Sequence, residues 1–450
     1  MKVLFIYPSN DLSYPLQIGS LSAFIKQYGH KTDLLSLFIE NNITKKHLSS
    51  INDKLKDFKP DFVILSCYET SFSWIKEITA YVKGLRPEIV TIIGGYFPTL
   101  CPQEVIKVSS IDAICRGEGE WALKEFLDNP QRKNIKNFWF KEKGKIVKNG
   151  IRPLIENLDI LPFPDKTFFD YQEHLDKTEK KGERVVKIMA SRGCPFDCTY
   201  CCNKYIKELY PNKNKYLRMR SPKNIVEELK ELKAKYSFEK VGFHDDNFTL
   251  DLNWLKEFGS LYKKEINLPF YCATRVESCS DKVLDILKKA GCELLLIGVE
   301  SGDEKYRREI MKRFMSNQSI ISAFNRARKK GILTWSFSMV GLPFETKQML
   351  LKTVCLNWQC RPDFVMASIF YPFKGTQLGD ICYNKGWVNL QKKDQVTSYA
   401  WESILDHPNL SDLEIKIAKY LNSLTAIRSS FFWKQLLIRL NDLIKYNRRI

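Results

Sequence analysis

Three cysteines, Cys194, Cys198 and Cys201, are spaced by three and then two intervening residues in the segment Ser191-Arg192-Gly193-Cys194-Pro195-Phe196-Asp197-Cys198-Thr199-Tyr200-Cys201-Cys202. Thiolates at that spacing let a loop curl around three corners of a cubane iron–sulfur cluster. Three protein ligands leave one iron open, and an open coordination position lets a metal centre take a substrate. A structural zinc site would ask for two paired Cys/His groups, and no second pair exists among His30, His47, His174, His244 and His407. A four-cysteine electron-transfer cluster needs one more ligand close by. Cys202 abuts Cys201, so its side chain is expected to point away.

Other residue types downstream could also do chemistry. Asp245 and Asp246 at the end of an apolar run are placed to receive an ammonium or a hydroxyl. Equally, one of them could cap a helix beginning at Leu252. Arg275 could pair a ligand carboxylate or form a structural ion pair. Gly341 would let the backbone approach a flat ring closely, or serve a plain turn.

Elements that could position these residues alternate between strand and helix. Residues 1–130 carry short apolar strands at Val3–Tyr7, Phe62–Ser66, Val90–Ile93 and Ala113–Ile114, with an amphipathic helix from Leu16 to Gly29. Strands without period-2 polarity, alternating with helices, indicate a doubly wound parallel sheet covered on both faces. Ligands of such sheets sit at the carboxyl ends of the strands. Residues 131–184 read as a linker with a hairpin at Phe138–Ile146, a stiff Leu161-Pro162-Phe163-Pro164 stretch and a charged run to Arg184. From 185 to 385, strands at Val185–Ala190, Lys240–Phe243, Pro269–Ala273, Leu294–Val299, Thr334–Val340 and Phe364–Phe370 alternate with helices. Six such units predict a partial six-stranded βα barrel, with its site at the carboxyl ends of the strands. Residues 386–450 read as helical. The amphipathic, aromatic and basic stretch Phe431–Leu440 could pack on its own domain or make peripheral contact with a membrane.

The bulk composition sets bounds on this reading. A chain of 450 residues with 44% hydrophobic and 13% aromatic residues supports more than one packed core and is not that of a disordered protein. The apolar runs are too short to span a bilayer, and Met1–Pro8 reads as a first strand rather than a signal peptide, which implies a cytoplasmic protein. A net charge of +19 favours anionic partners, but it is spread along the chain rather than blocked, so nucleic acid is not the favoured partner. Thirteen cysteines in such a chain argue against a disulfide framework. Cys67, Cys101, Cys115, Cys272, Cys279, Cys292, Cys355, Cys360 and Cys382 are scattered and are expected to be buried, inert thiols.

The Cys motif resembles the CxxxCxφC signature of the radical S-adenosylmethionine (SAM) superfamily, with Tyr200 as the aromatic φ. The resemblance continues in order along the barrel. Phe243-His244-Asp245-Asp246-Asn247-Phe248 is similar to the acidic motif that meets the methionine end of SAM, and Gly298-Val299-Glu300-Ser301-Gly302 to the GxESG motif near the ribose. Met339–Thr346 resembles the GLPxET turn beside the adenine, and Tyr371–Thr376 the PxPGT turn, with Lys374 in place of the usual proline. It implies that Cys194, Cys198 and Cys201 hold a 4Fe–4S cluster, and that Tyr200, Asp245, Asp246, Arg275, Glu300, Ser301 and Gly341 contact SAM.

The first domain carries no GxGxxG dinucleotide fingerprint. Placed before such a barrel, it resembles the cobalamin-binding domain of the B12-dependent radical SAM class. The matching residues are Pro15–Gly19, Ser66-Cys67-Tyr68, Gly94–Thr99 and Arg116-Gly117-Glu118-Gly119-Glu120. The implied cobalamin contacts are Gln17, Ser66, Cys67, Gly94, Gly95, Tyr96, Gly117 and Glu118. No His stands in an Asp-x-His-x-x-Gly context, which implies cobalamin without a histidine ligand, or a domain that has lost it.

The resemblance implies reductive cleavage of SAM to methionine and a 5′-deoxyadenosyl radical, followed by hydrogen abstraction from a small-molecule substrate such as a lipid or natural-product intermediate. A methyl group carried by cobalamin would then pass to a carbon or phosphorus centre. The electron donor would be a protein such as flavodoxin or ferredoxin. A non-methylating cyclase or rearrangement enzyme is the alternative within the class. A cluster-containing RNA- or lipid-binding regulator is the alternative outside it, and a tRNA methylthiotransferase would need a second set of cluster cysteines that the first domain lacks.

Overall fold

A computed structural model describes residues 1–11, 13–178, 183–395 and 402–426. The first sheet contains β1 (Lys2–Ser9), β2 (Lys31–Phe38), β3 (Phe62–Ser66), β4 (Val90–Gly94), β5 (Ala113–Cys115), β6 (Phe138–Glu142) and β7 (Lys145–Lys148). Its order is β2-β1-β3-β4-β5-β6-β7. The strands from β2 to β5 are parallel, and the β6–β7 hairpin joins antiparallel to β5. Alternation along β1 sends Leu4 and Ile6 to one face and Val3 and Phe5 to the other. Trp74, Ile75, Ile78 and Val82 of the Phe72–Leu85 helix cover the first face, and Phe24, Leu123 and Phe126 from helices Leu16–Lys26 and Glu120–Asp128 cover the second. This is the doubly wound sheet that the sequence predicts.

Two features differ from the sequence reading. β2 was not expected, because Lys31-Thr32-Asp33-Leu34 mixes polar and apolar residues; as an edge strand it needs only partial burial. The expected hairpin forms, but it extends the first sheet, so that sheet's strands continue past residue 130.

After β7 the chain forms β8 (Val185–Ile188), a separate two-stranded antiparallel pair of β9 (Ser191–Arg192) and β10 (Arg218–Met219), then β11 (Lys240–Phe243), β12 (Phe270–Thr274), β13 (Cys292–Glu300), β14 (Leu333–Val340) and β15 (Phe364–Ile369). Six of these strands form a sheet in the order β15-β14-β13-β12-β11-β8, the number and sequence order expected of the partial barrel. The helices between them start on side-chain caps from Ser221, Asp251, Ser280, Ser316 and Thr346, and the Asp281–Ala290 helix ends on Gly291 in the left-handed region. The described tail contains helices Leu390–Gln395 and Asp412–Leu424; the Phe431–Leu440 stretch lies outside the described residues. Among the described residues no helix is long and apolar enough to cross a membrane.

Contacts divide the described residues into two compact units. One is drawn from Met1–Asp246 with Pro372–Ser398, the other from Asn247–Tyr371 with Tyr399–Ile450.

Candidate functional site

In the first unit, the cysteine loop leaves the short strand β9 and is fastened along its length. Gly193 has φ +85°, and a Cβ there would sit 2.4 Å from the Tyr216 carbonyl oxygen, so only glycine allows this turn. Lys207 donates to the Pro195 carbonyl at 2.8 Å and to Asp197 at 2.7 Å. The Cys201 amide donates to the Cys198 carbonyl at 3.1 Å, and the Leu378 amide to the Thr199 carbonyl at 3.2 Å. Tyr200, between the second and third cysteines, is half-buried.

Burial pushes the Cys194 thiol up to about 12, with Asp246, Cys201 and Cys198 adding to it, so the three cysteines sense one another and Asp246. Cys202 packs against Ile206, Tyr210 and Tyr216, yet its thiol also hydrogen-bonds Cys201, so it is not turned away as expected. Among the described residues no three Cys, His, Asp or Glu side chains converge on a single ion. A cubane does not ask for that, because each of its irons takes its own thiolate. Three thiols outside any disulfide, carried on one pinned loop, fit a cluster held by three protein ligands with one iron open.

A cavity of about 660 Å³ lies in this unit at the carboxyl ends of β1, β3, β4 and β5, within the range of cofactor sites. Gln17, Ser66, Gly94, Gly95, Tyr96, Gly117 and Glu118 all line it. Gly95 (φ +102°) lies so close to Cys67 that a Cβ would be 2.9 Å from its backbone N and O. Cys67 itself does not line the cavity. It is 0% exposed, its thiol donates to the Tyr68 carbonyl, and its backbone bonds Gly94 and Phe97, so its part is to hold the glycine loop. Tyr68 and Tyr96 present exposed rings to the cavity with centroids 5.6 Å apart. Glycines at the strand ends and flat aromatic walls fit a large planar cofactor.

The same cavity reaches the cysteine segment at Ser191, Arg192 and Gly193, and also takes in Asn203, His244 and Asp246. The two aspartates therefore part company. Asp245, 4% exposed, accepts from the Ala190 amide at 3.1 Å and from the Ser191 hydroxyl, and burial pushes its carboxyl up to about 6. Asp246 faces the cavity beside Asn203. Neither caps the Leu252–Glu265 helix; Asp251 does. Sequence reasoning passed over His244 as a site residue. Burial, with Lys187 nearby, pulls its imidazole down to about 4, so at neutral pH it is an uncharged ring facing the cavity.

The remaining expected SAM residues lie in the second unit. Arg275, 7% exposed, forms an ion pair with Glu277 at 2.7 Å, the structural alternative for this residue. Glu300 ends β13 with φ +69° after an irregularity in the pairing, and Arg313 reaches its carboxylate at 3.6 Å. Ser301 is 0% exposed and its carbonyl is bound by the buried Arg307. Gly341 (φ +75°) donates its amide to Glu345 at 2.7 Å, and Ile415 covers the side where a Cβ would stand. Glu345 is thus the turn's internal anchor, legible only as the acid of the GLPxET pattern. Lys374, at the proline position, donates its backbone N–H to Glu69 and pairs with Glu104, both in the first unit as it is. The scattered cysteines are buried as expected except Cys101, which is half-buried, and Cys355, which is exposed on its helix.

Comparison with known proteins gives two matching families. The radical SAM superfamily matches residues 188–355, and the B12 binding domain matches residues 5–127. An uncharacterized methyltransferase of Pyrococcus horikoshii is 26% identical over 84% of this chain and 82% of its own length. The anaerobic magnesium-protoporphyrin IX monomethyl ester cyclase of Rubrivivax gelatinosus is 25% identical over 92% of this chain and 76% of its own. Among solved structures, the radical SAM methyltransferase TsrM of Kitasatospora setae, with cobalamin and a [4Fe-4S] cluster bound, aligns with a TM-score of 0.69 at 16% identity, covering 86% of this chain and 79% of that one. That last likeness is one of fold.

Proposed function

The chain belongs to the B12-binding class of the radical SAM superfamily, and we propose that it transfers a methyl group to a carbon or phosphorus centre of a small molecule. The observation that carries this reading is the shared cavity: the glycine-rich ends of β3 and β4 and the loop after β5 open into the same space as Asp246 and the segment leading to Cys194. Bound there, a 4Fe–4S cluster with SAM would supply a 5′-deoxyadenosyl radical, and cobalamin would carry the methyl group.

The chain's own residues bind, orient and exclude water. Cys194, Cys198 and Cys201 hold the cluster, and Asp246 receives the ammonium end of SAM, with Tyr200 alongside. Glu300, Ser301 and Gly341 are the further SAM contacts that the motif resemblance implies; Arg275 and Glu345 keep their own loops in shape. Ser66, Gly94, Gly95, Tyr96, Gly117 and Gln17 receive cobalamin, and Cys67 supports Gly95 from behind. No histidine of the sequence stands in an Asp-x-His-x-x-Gly context that would ligate cobalamin. A flavodoxin- or ferredoxin-like protein supplies the electron, and the sequence of Phe431–Leu440, aromatic with Lys434 and Arg439, suits contact with a membrane surface.

The test is anaerobic purification, cluster reconstitution with hydroxocobalamin, and assay of SAM products under a strong reductant. Methyl transfer expects both 5′-deoxyadenosine and S-adenosylhomocysteine, with a cobalamin absorbance band retained after desalting. 5′-Deoxyadenosine without S-adenosylhomocysteine would favour the non-methylating reading, which the likeness to the cyclase supports. In C194A, cluster iron and 5′-deoxyadenosine should both vanish; retained cleavage would defeat the cluster assignment.

A further inference from the structure

The loop after β5, Arg116-Gly117-Glu118-Gly119-Glu120, is one of the segments whose resemblance suggests a contact with cobalamin. Its two carboxylates are already engaged. Glu118 Oε1 accepts from Arg192 Nη1 at 3.2 Å and from Arg218 Nη1 at 2.8 Å, while Oε2 accepts from the Ile155 amide at 2.9 Å. Glu120, its side chain 4% exposed, accepts from Arg192 Nη2 at 2.6 Å. Arg192 Nη2 also reaches the Ser20 hydroxyl at 3.2 Å, and Arg218 donates further to the carbonyls of Ile155 and Tyr216. Two carboxylates and two guanidiniums so balance one another in a largely buried cluster.

The two arginines are no arbitrary partners. They face each other across the β9–β10 pair, and Arg192 stands two residues before Cys194 with the tight Gly193 turn between. Gly117 of the same loop lines the cavity, where a Cβ would strike the Tyr210 hydroxyl at 2.4 Å. One short loop therefore borders the cavity, and the acids it carries there are the ones that grip the root of the cysteine loop. Fork-shaped guanidinium–carboxylate pairing fixes direction as well as distance.

We propose that Glu118 and Glu120 are positioning residues for the cysteine loop rather than contacts to cobalamin, and that through Arg192 they couple occupancy of the cobalamin site to occupancy of the cluster site. This rests on the two-cofactor reading above. Whatever orders the loop after β5 then orders Arg192 through the two carboxylates, and by reciprocity a bound cluster strengthens cobalamin binding by the same factor.

The test uses the full chain as wild type, E118Q, E120Q, R192K and R192M, each reconstituted anaerobically, with far-UV dichroism as a folding check. Hydroxocobalamin affinity is read by absorbance titration, with and without cluster, and the reduced cluster by its EPR signal and midpoint potential. In the wild type the cluster should strengthen cobalamin binding by about fivefold or more. In E118Q that enhancement should shrink and the cluster signal should change, while cobalamin affinity without cluster stays within about threefold of wild type. R192K, which keeps the cation and loses the fork, should fall between wild type and R192M in its cluster signal. A tenfold loss of cobalamin affinity in cluster-free E118Q with an unchanged cluster signal would make Glu118 a cofactor contact and overturn the proposal. Equal affinities with and without cluster in the wild type would overturn the coupling. If E120Q or R192M does not fold, E118Q and R192K decide the matter. Wild-type protein that takes up neither cofactor would instead sink the functional reading itself, a separable result.

Discussion

Glu120 in the first unit and Glu345 in the second are both glutamates where a loop runs into a helix, 3% and 0% exposed, and their surroundings drive them in opposite directions. At Glu120 burial pushes the carboxyl up, but the Arg192 guanidinium outweighs burial and holds it below the usual range. At Glu345 the partners are the amides of Gly341 and Leu342, one carboxylate oxygen has no partner among the described residues, and burial pushes the group up to about 8. A buried acid is thus a fixed charge where a guanidinium answers it, and close to a neutral hydrogen-bonding group where only amides do. The first arrangement suits a loop that must lock one segment to another; the second closes a turn on itself.

The largest effect expected from this contrast is that of R192M. It leaves Glu120 buried without its cation and strips Glu118 of one partner, which should cost about 3–5 kcal/mol of unfolding free energy. A thermal or denaturant melt of the cluster-free chain reads it. A loss under about 1 kcal/mol would mean that packing, rather than charge pairing, holds the loop, and the contrast with Glu345 would collapse.

The Glu345 side of the comparison is read by pH. A carboxyl whose folded value is raised from 4.5 to about 8 keeps its proton in the folded chain while the unfolded chain releases it. Stability is therefore full below about pH 4.5 and declines as pH rises toward 8, by an amount on the order of 2–3 kcal/mol once the turn's relaxation is allowed for. E345Q should flatten that decline while still accepting from both amides. A wild-type melt that does not fall over this range would show the acid to be ionised in the fold. Glu120 predicts the reverse sign: its contribution is present at neutral pH and is lost on acidification through its depressed folded value.

Asp245 and Asp246 carry the comparison to adjacent residues. D246N should leave the melting temperature within about 1 °C of wild type, because its carboxylate faces the cavity, and should weaken SAM binding about tenfold, as expected for one charge-assisted contact. D245N should do the opposite. Its carboxylate already serves the Ala190 amide and Ser191 hydroxyl, so it should shift stability and leave SAM affinity within about twofold. Equal effects of the two on SAM binding would erase the distinction.

What the sequence could and could not disclose follows the same line. Spacing alone singled out Cys194, Cys198 and Cys201 as candidates, and apolar runs located β1, β3 to β5 and all six strands of the second sheet, because those signals are local. β2 escaped because an edge strand can mix polar and apolar residues, and the role of the β6–β7 hairpin escaped because pairing with β5 is a long-range choice. The family pattern placed Gln17, Ser66, Gly94, Gly95, Tyr96, Gly117, Glu118 and Asp246 on one cavity, yet it could not tell a carboxylate aimed at a ligand from one aimed at an arginine 74 residues away. Nor could it tell that Ser66 and Asp246 line the cavity while their neighbours Cys67 and Asp245 are buried in backbone contacts beside it.

Lys374 gives the smallest effect and the sharpest test of how far charge pairing counts. Its ammonium lies 2.7 Å from Glu104, but the two side chains are 28% and 39% exposed, so solvent screens the pair. K374M should cost under about 1 kcal/mol and lose even that in high salt. Its backbone is another matter, since the Lys374 N–H donates at 2.7 Å to Glu69, a buried acid that also receives Tyr383 and Lys393. K374P restores the residue usual in the family's turn and deletes that donor, so it should cost more than K374M, by about 1 kcal/mol. If K374P instead matched or exceeded wild type, the fixed proline backbone would outweigh the hydrogen bond, and the lysine would be a substitution that the fold tolerates rather than uses.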